Sequence, residues 1–145
     1  FRSEHLAYSF DFERNVSRFE EALQIVLPLF KGERFSYAGE LNRVEDAELL
    51  PHSEVGMPPI LIGTLKGKPR MSRLTAQDAD MWNCMIAFKI VIETFLDAWQ
   101  PIRMACERHG RDPQTLSRGA TVAGNFTSGP YDIVPTSVPF SGPSQ

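Results

Sequence analysis

The sequence predicts an α/β protein organised around a parallel sheet. Three observations carry that expectation. The chain has 145 residues, enough for one domain with a real core. The run "PILIGT" (59–64) is short, continuous and apolar, as strands buried on both faces are. Strand and helix patterns then alternate along the chain, which in one sheet implies right-handed crossovers.

The elements follow in order. In 11–31, Phe12, Val16, Phe19, Leu23, Val26 and Phe30 recur at helical spacing. Asp11 suits the N-cap, Pro28 removes one hydrogen bond near the end, and Gly32 suits the C-terminal cap. Residues 34–50 read as extended, with "RFSY" and "LNRVEDAELL" flanking a turn at Ala38-Gly39. "LPHSEVGMPP" is loop, and "PILIGT" is the first buried strand. A helix over 69–79 starts at Pro69, where a missing N–H costs nothing. "DMWNCM" reads as a very short strand and 85–98 as an apolar helix. Residues 99–109 continue that helix or restart it at Pro101, and Gly110 ends it. "GRDPQTL" is a turn containing a short helical turn, and "GATVAGNF" (119–126) is the last strand expected. The Pro/Gly/Ser-rich stretch 127–145 reads as a loop or linker tail. No internal repeat is visible.

Composition narrows the function classes. Hydrophobic content is 42% and charged content 23%, ordinary for a globular protein. The net charge of −3 argues against a nucleic-acid partner, which wants a basic face. No apolar run approaches the roughly 20 residues of a membrane helix, and the start shows no signal-peptide pattern. The cysteines, Cys84 and Cys106, form no CxxC or Cys/His cluster. They read as buried free thiols of a reducing compartment, the cytoplasm.

Chemistry concentrates in "PPILIGTLKGKPRMSRLTAQDADMWN" (58–83). A strand, a glycine turn and a helix start follow one another. Loops at the C-terminal ends of parallel strands are where α/β proteins bind ligands. Gly63 and Gly67 allow close backbone approach. The first N–H groups of the helix, with its dipole, favour an anion. Thr64 adds a hydroxyl, and Lys68 and Arg70 add positive charge. The same pattern also describes an ordinary strand-to-helix turn with solvated basic residues, and it is neither a Walker loop nor a GxGxxG fingerprint.

Other residues carry weaker signals. His5, after Glu4, could serve as an acid or base, although a lone histidine there is usually solvated. His52 and His109 read as structural. Glu45, Asp46 and Glu48 form an acidic cluster without metal-ligand spacing, so no metal site is expected. Trp82 and Asn83 at a strand end could line a pocket, and Trp82 equally suits a core. No Ser/His/Asp or Cys/His set can be assembled.

In combination, "VSRFEEALQIVLPLFKGERFSYAGE", "DAELLP", "PPILIGTLKGKPRMSRLTAQDADMWN" and "ACERHGRDPQTL" resemble the luciferase-like flavin-dependent oxidoreductases over residues 4–126. The resemblance implies part of a TIM-type (β/α)8 barrel of bacterial luciferase type. Residues 1–145 would form a single partial domain, its C-terminal half, starting after the fourth strand and stopping before the last helix and strand. A barrel left open in this way would expose sheet edges unless a partner covered them. It also implies FMN or the deazaflavin coenzyme F-420 as cofactor, with the "DAELLP" and "PPILIGT" pattern leaning towards the deazaflavin branch. Gly63, Thr64, Gly67, Lys68 and Arg70 align with the family's cofactor-phosphate region. Trp82 and Asn83 match its "AD-x-WN" motif, and Glu4 and His5 match the segment near the substrate and cofactor mouth. No catalytic residue carries over. Met81 stands where the family usually has a small residue, and Ser72 and Asp78, where apolar or aromatic residues are common, make helix 69–79 less apolar than expected.

The expected activity is therefore hydride transfer to, or flavin-mediated oxygenation of, a small organic substrate, with homodimers common in the family. A non-catalytic half-barrel acting as a binding or assembly module is the alternative. A generic α/β phosphate-binding domain is the third reading.

Overall fold

The computed structural model describes residues 5, 7, 8, 13–64, 68–85 and 92–121. Glu4, Asp11, Gly67 and the stretch 127–145 lie outside them. The chain divides into two compact units, Phe1–Pro59 and Ile60–Gln145.

The first unit contains helix α1 (Asn15–Phe30) and a hairpin of β1 (Phe35–Ala38) and β2 (Arg43–Ala47). Helix α1 starts later than the sequence suggests, with Arg14 at the N-cap position and no side-chain cap. Its end matches expectation. Gly32 adopts φ +77° and donates to Leu29 O, while Glu33 N donates to Pro28 O, the paired bonds of a Schellman ending. Pro28 leaves Gln24 O without its ladder donor, and Gln24 is exposed. The Glu21 carboxylate on α1 accepts from the backbone N–H groups of Glu40, Leu41 and Asn42 and fastens the hairpin turn to the helix. The acidic cluster is dispersed into two surface ion pairs, Arg34 with Asp46 and Arg43 with Glu45, and a contact of Glu48 Oε1 with His52 Nε2 at 3.2 Å.

The second unit is a βαβαβ arrangement. Strands β3 (Leu61–Thr64), β4 (Met81–Met85) and β5 (Ser117–Thr121) form a parallel three-stranded sheet in sequence order. Helix α2 (Pro69–Asp78) crosses from β3 to β4. Helix α3 (Ile92–Arg108) and a 3₁₀ turn (Pro113–Thr115) precede β5. Helix α3 buries Ala98, Trp99, Ile102, Ala105 and Cys106, a stripe at three- and four-residue spacing. It runs through Pro101 without restarting, and the carbonyl deprived of a donor belongs to exposed Asp97. Residue 85, expected to open the helix, instead pairs with Thr121 as the last residue of β4. Strand β5 begins two residues earlier than expected, because Ser117 and Arg118 pair with Met81 and Trp82 despite their polarity.

Helix α2 packs against α3 although few of its residues are apolar, burying Ser72, Leu74, Thr75 and Ala76. Thr75 satisfies its hydroxyl by donating to Met71 O at 2.9 Å. Ser72 does not: it is 2% exposed and, among the described residues, its Oγ has no hydrogen-bond partner. An unpaired buried hydroxyl opposes folding. Ser72→Ala is therefore expected to raise stability by about 1 kcal/mol in urea denaturation. A loss of similar size would show that the hydroxyl makes a bond absent from this structure.

Candidate functional site

The sheet of the second unit has two unlike faces. Ile62, Trp82 and Cys84 point toward the helices and are buried. The alternate positions, Leu61, Gly63, Met81, Asn83 and Gly119, lie on the opposite face. There Leu61 is 56% exposed and Met81, its register partner, 37%. Such a face in a parallel sheet is normally covered on both sides or closed into a barrel.

The starts of the three strands are stitched together by Asp80. Its Oδ2 accepts from Ile60 N at 2.8 Å, its N–H donates to Ile60 O at 2.8 Å, and its carbonyl accepts from Ser117 N at 3.0 Å. This end of a parallel sheet serves stability, while ligands bind at the other end.

At that other end lies the β3–α2 junction. Gly63 is exposed, and among the described residues a Cβ added there would meet only the Asn83 carbonyl, at 3.8 Å. The folded chain therefore has no packing need for glycine at this position. Thr64 closes β3, and its Oγ1 accepts the Trp82 indole N–H at 2.7 Å. Trp82 has no exposed surface and lies between Phe95 and Trp99, at ring separations of 5.3 and 5.5 Å. It braces the strand end from the helix side. Lys68, at the N-cap position of α2, and Arg70 in its first turn are both exposed. Pro69 occupies the first helical position and no side chain caps the helix. The first ladder bond runs from Ser72 N to Lys68 O, so the helix dipole ends at Lys68. One strand over, Asn83 Nδ2 donates to Thr121 Oγ1 at 2.8 Å.

The structure thus brings Gly63, Thr64, Lys68, Arg70, Trp82 and Asn83 into one unit. His5 belongs to the first unit and is half-buried. A cavity of about 530 Å³ in the first unit is lined by Leu29, Phe30, Pro51 and His52 among others, and by none of the cofactor-region residues. Cys84 and Cys106 are free and buried, and desolvation pushes both thiols above their ordinary range, which leaves them inert. Among the described residues, no three His, Cys, Asp or Glu side chains are placed to hold a metal ion. No helix among them is long and apolar enough to cross a membrane.

Two side chains that support the unit around the candidate site carry no clear sequence signal. Arg111 donates from Nη1 to Ala76 O at 3.0 Å and to Ala79 O at 2.7 Å, clamping the end of α2. Thr121, the partner of Asn83, carries no motif of its own. The one signal for Arg111 in the sequence is its place directly after Gly110, which takes φ +72° at the end of α3.

The family model for luciferase-like monooxygenases matches residues 1–125. The chain belongs to the luciferase-like monooxygenase family. Its fold is accordingly part of a TIM-type barrel, the exposed sheet face being the side that a closed barrel turns inward. A monooxygenase structure, RslO1 from Streptomyces bottropensis, superposes with a TM-score of 0.64 at 20% identity. The match covers 80% of this luciferase-like chain and 36% of that protein, so the chain spans little more than a third of its length. None of the curated proteins compared matches.

Proposed function

We propose that this chain supplies the phosphate-binding part of a flavin- or deazaflavin-dependent oxidoreductase acting on a small organic molecule. The observation that supports it best is the β3–α2 junction. A parallel strand ends in an exposed glycine and a braced threonine, and an uncapped helix follows with Lys68 at its start. These residues fit a phosphorylated cofactor. Lys68 and Arg70 bring positive charge, the Met71 N–H lies ahead of the helical ladder, and the open space at Gly63 admits a ligand against the strand. When bound, a cofactor of this type supplies hydride transfer or a reduced ring that activates oxygen. The chain's own part is to anchor and orient it and to exclude water at the strand ends. Assembly as a homodimer belongs to the same proposal.

Fluorescence titration with FMN and riboflavin tests this reading. FMN is expected to bind at least about tenfold more tightly, the worth of one charge-assisted contact. Gly63→Val is expected to weaken both ligands while leaving the urea midpoint unchanged, since its Cβ has room in the folded chain. Equal affinity for FMN and riboflavin would remove the phosphate assignment.

The exposed pair Leu61 and Met81 favours a second reading, a non-catalytic half-barrel that docks against a partner through its bare face. A folded chain that binds neither flavin supports that reading over the first.

A further inference from the structure

We propose that the Asn83 amide recognises the hydroxylated chain of the cofactor, with Thr121 as its positioning residue. The inference rests on the phosphate placement above and extends it to the next part of the ligand.

Asn83 sits in the middle strand on the face away from the helices. Its register partners are Gly63 on one side and Gly119 on the other. The amide thus stands alone in a row where both neighbouring strands present bare backbone. It leans towards β5: Nδ2 donates to Thr121 Oγ1, and a Cβ added at Gly119 would lie 3.4 Å from Oδ1. The Thr121 bond fixes the side chain and points its nitrogen to β5, and the β3 side beside Gly63 is left open. Among the described residues, nothing else bonds the Asn83 side chain.

What remains on offer is an acceptor, Oδ1, and the second Nδ2 hydrogen, with no charge. An alcohol is both donor and acceptor and satisfies the two together. A phosphate or carboxylate offers only acceptors and gains more from Lys68. Adjacent strands lie about 4.8 Å apart, so Asn83 is one strand spacing from the glycine that precedes the phosphate turn. In FMN and in the deazaflavin coenzyme alike, the group next to the phosphate is a chain of hydroxyl-bearing carbons, with the ring beyond it. Asn83, level with Gly63 on the next strand and on the open face, is therefore placed to meet that chain.

Riboflavin and lumiflavin separate this contact from the others, because they share the ring, lack phosphate and differ in the hydroxylated chain. Titrated by fluorescence against the whole chain, riboflavin is expected to bind more tightly. Asn83→Leu should reduce the riboflavin-to-lumiflavin ratio by about five- to tenfold and leave the FMN-to-riboflavin ratio unchanged. Thr121→Val should reduce the first ratio in the same direction, and Thr121→Ser should restore it, which a merely structural role would not produce. An unchanged riboflavin-to-lumiflavin ratio in a folded Asn83→Leu variant overturns the proposal and leaves the phosphate site standing. Failure of the wild-type chain to bind any of the three flavins overturns both.

Discussion

Replacing Trp82 with alanine is expected to lower the stability of the second unit by about 3–5 kcal/mol. The side chain has no exposed surface and touches two other aromatic rings, Phe95 and Trp99, at the geometry of tilted pairs. Truncation removes its apolar area, both ring contacts and the donor to Thr64 Oγ1. Trp82→Phe separates these effects. A phenyl ring retains most of the packing, and the loss should fall to about 1–2 kcal/mol, reflecting the lost hydrogen bond and the smaller ring. Urea denaturation followed by circular dichroism measures both. A loss below about 1 kcal/mol for the alanine variant is incompatible with a fully buried bracing role.

The second large effect is expected at Arg111. Its guanidinium holds two carbonyls at the end of α2, those of Ala76 and Ala79, and its Nε donates to Thr115 Oγ1 at 3.1 Å. A positive charge at a helix C-terminus also complements the dipole. Arg111→Ala leaves those carbonyls without their donor beside the buried Ala76 and Ala79, and should cost about 2–3 kcal/mol. Arg111→Lys should recover no more than about half of that, because an ammonium in place of Nη1 lacks the rest of the fork, the Nε that holds Thr115 Oγ1. Full recovery by lysine would show that charge alone, not the fork, matters here.

The parts of this fold that local pattern specifies were legible. "LIGT" reads as a strand because its run is short, continuous and followed by turn residues, although the expected burial on both faces is met only at Ile62. The helix 92–108 is readable from the spacing of Ala98, Trp99, Ile102 and Cys106. Gly32 and Gly110 announce helix ends because both take up positive φ there. The rest depends on residues far apart in sequence. Strand β5 starts at Ser117, which has no apolar signal, because Asp80 O accepts its N–H and the register places Arg118 beside Trp82. Arg118 in turn lies 5.1 Å from the Trp99 ring, so a charged residue serves on the helix-facing side. Asp80 and Arg111 act on partners 20 to 35 positions away, at Ile60, Ala76 and Ala79, which no local window connects. At the candidate site, alternation alone could not say which of the adjacent Trp82 and Asn83 faced the helices. The packing of Trp82 on α3 decides it, and so assigns Asn83 to the open face.

The phosphate assignment at the β3–α2 turn is tested most directly by the backbone amide signals of Lys68 and Met71 in isotope-labelled protein. Addition of FMN is expected to shift both signals and to slow their exchange with solvent, and riboflavin at equal occupancy is expected to leave them in place. Signals that FMN does not move, or that riboflavin moves equally, would contradict a phosphate held at this helix start.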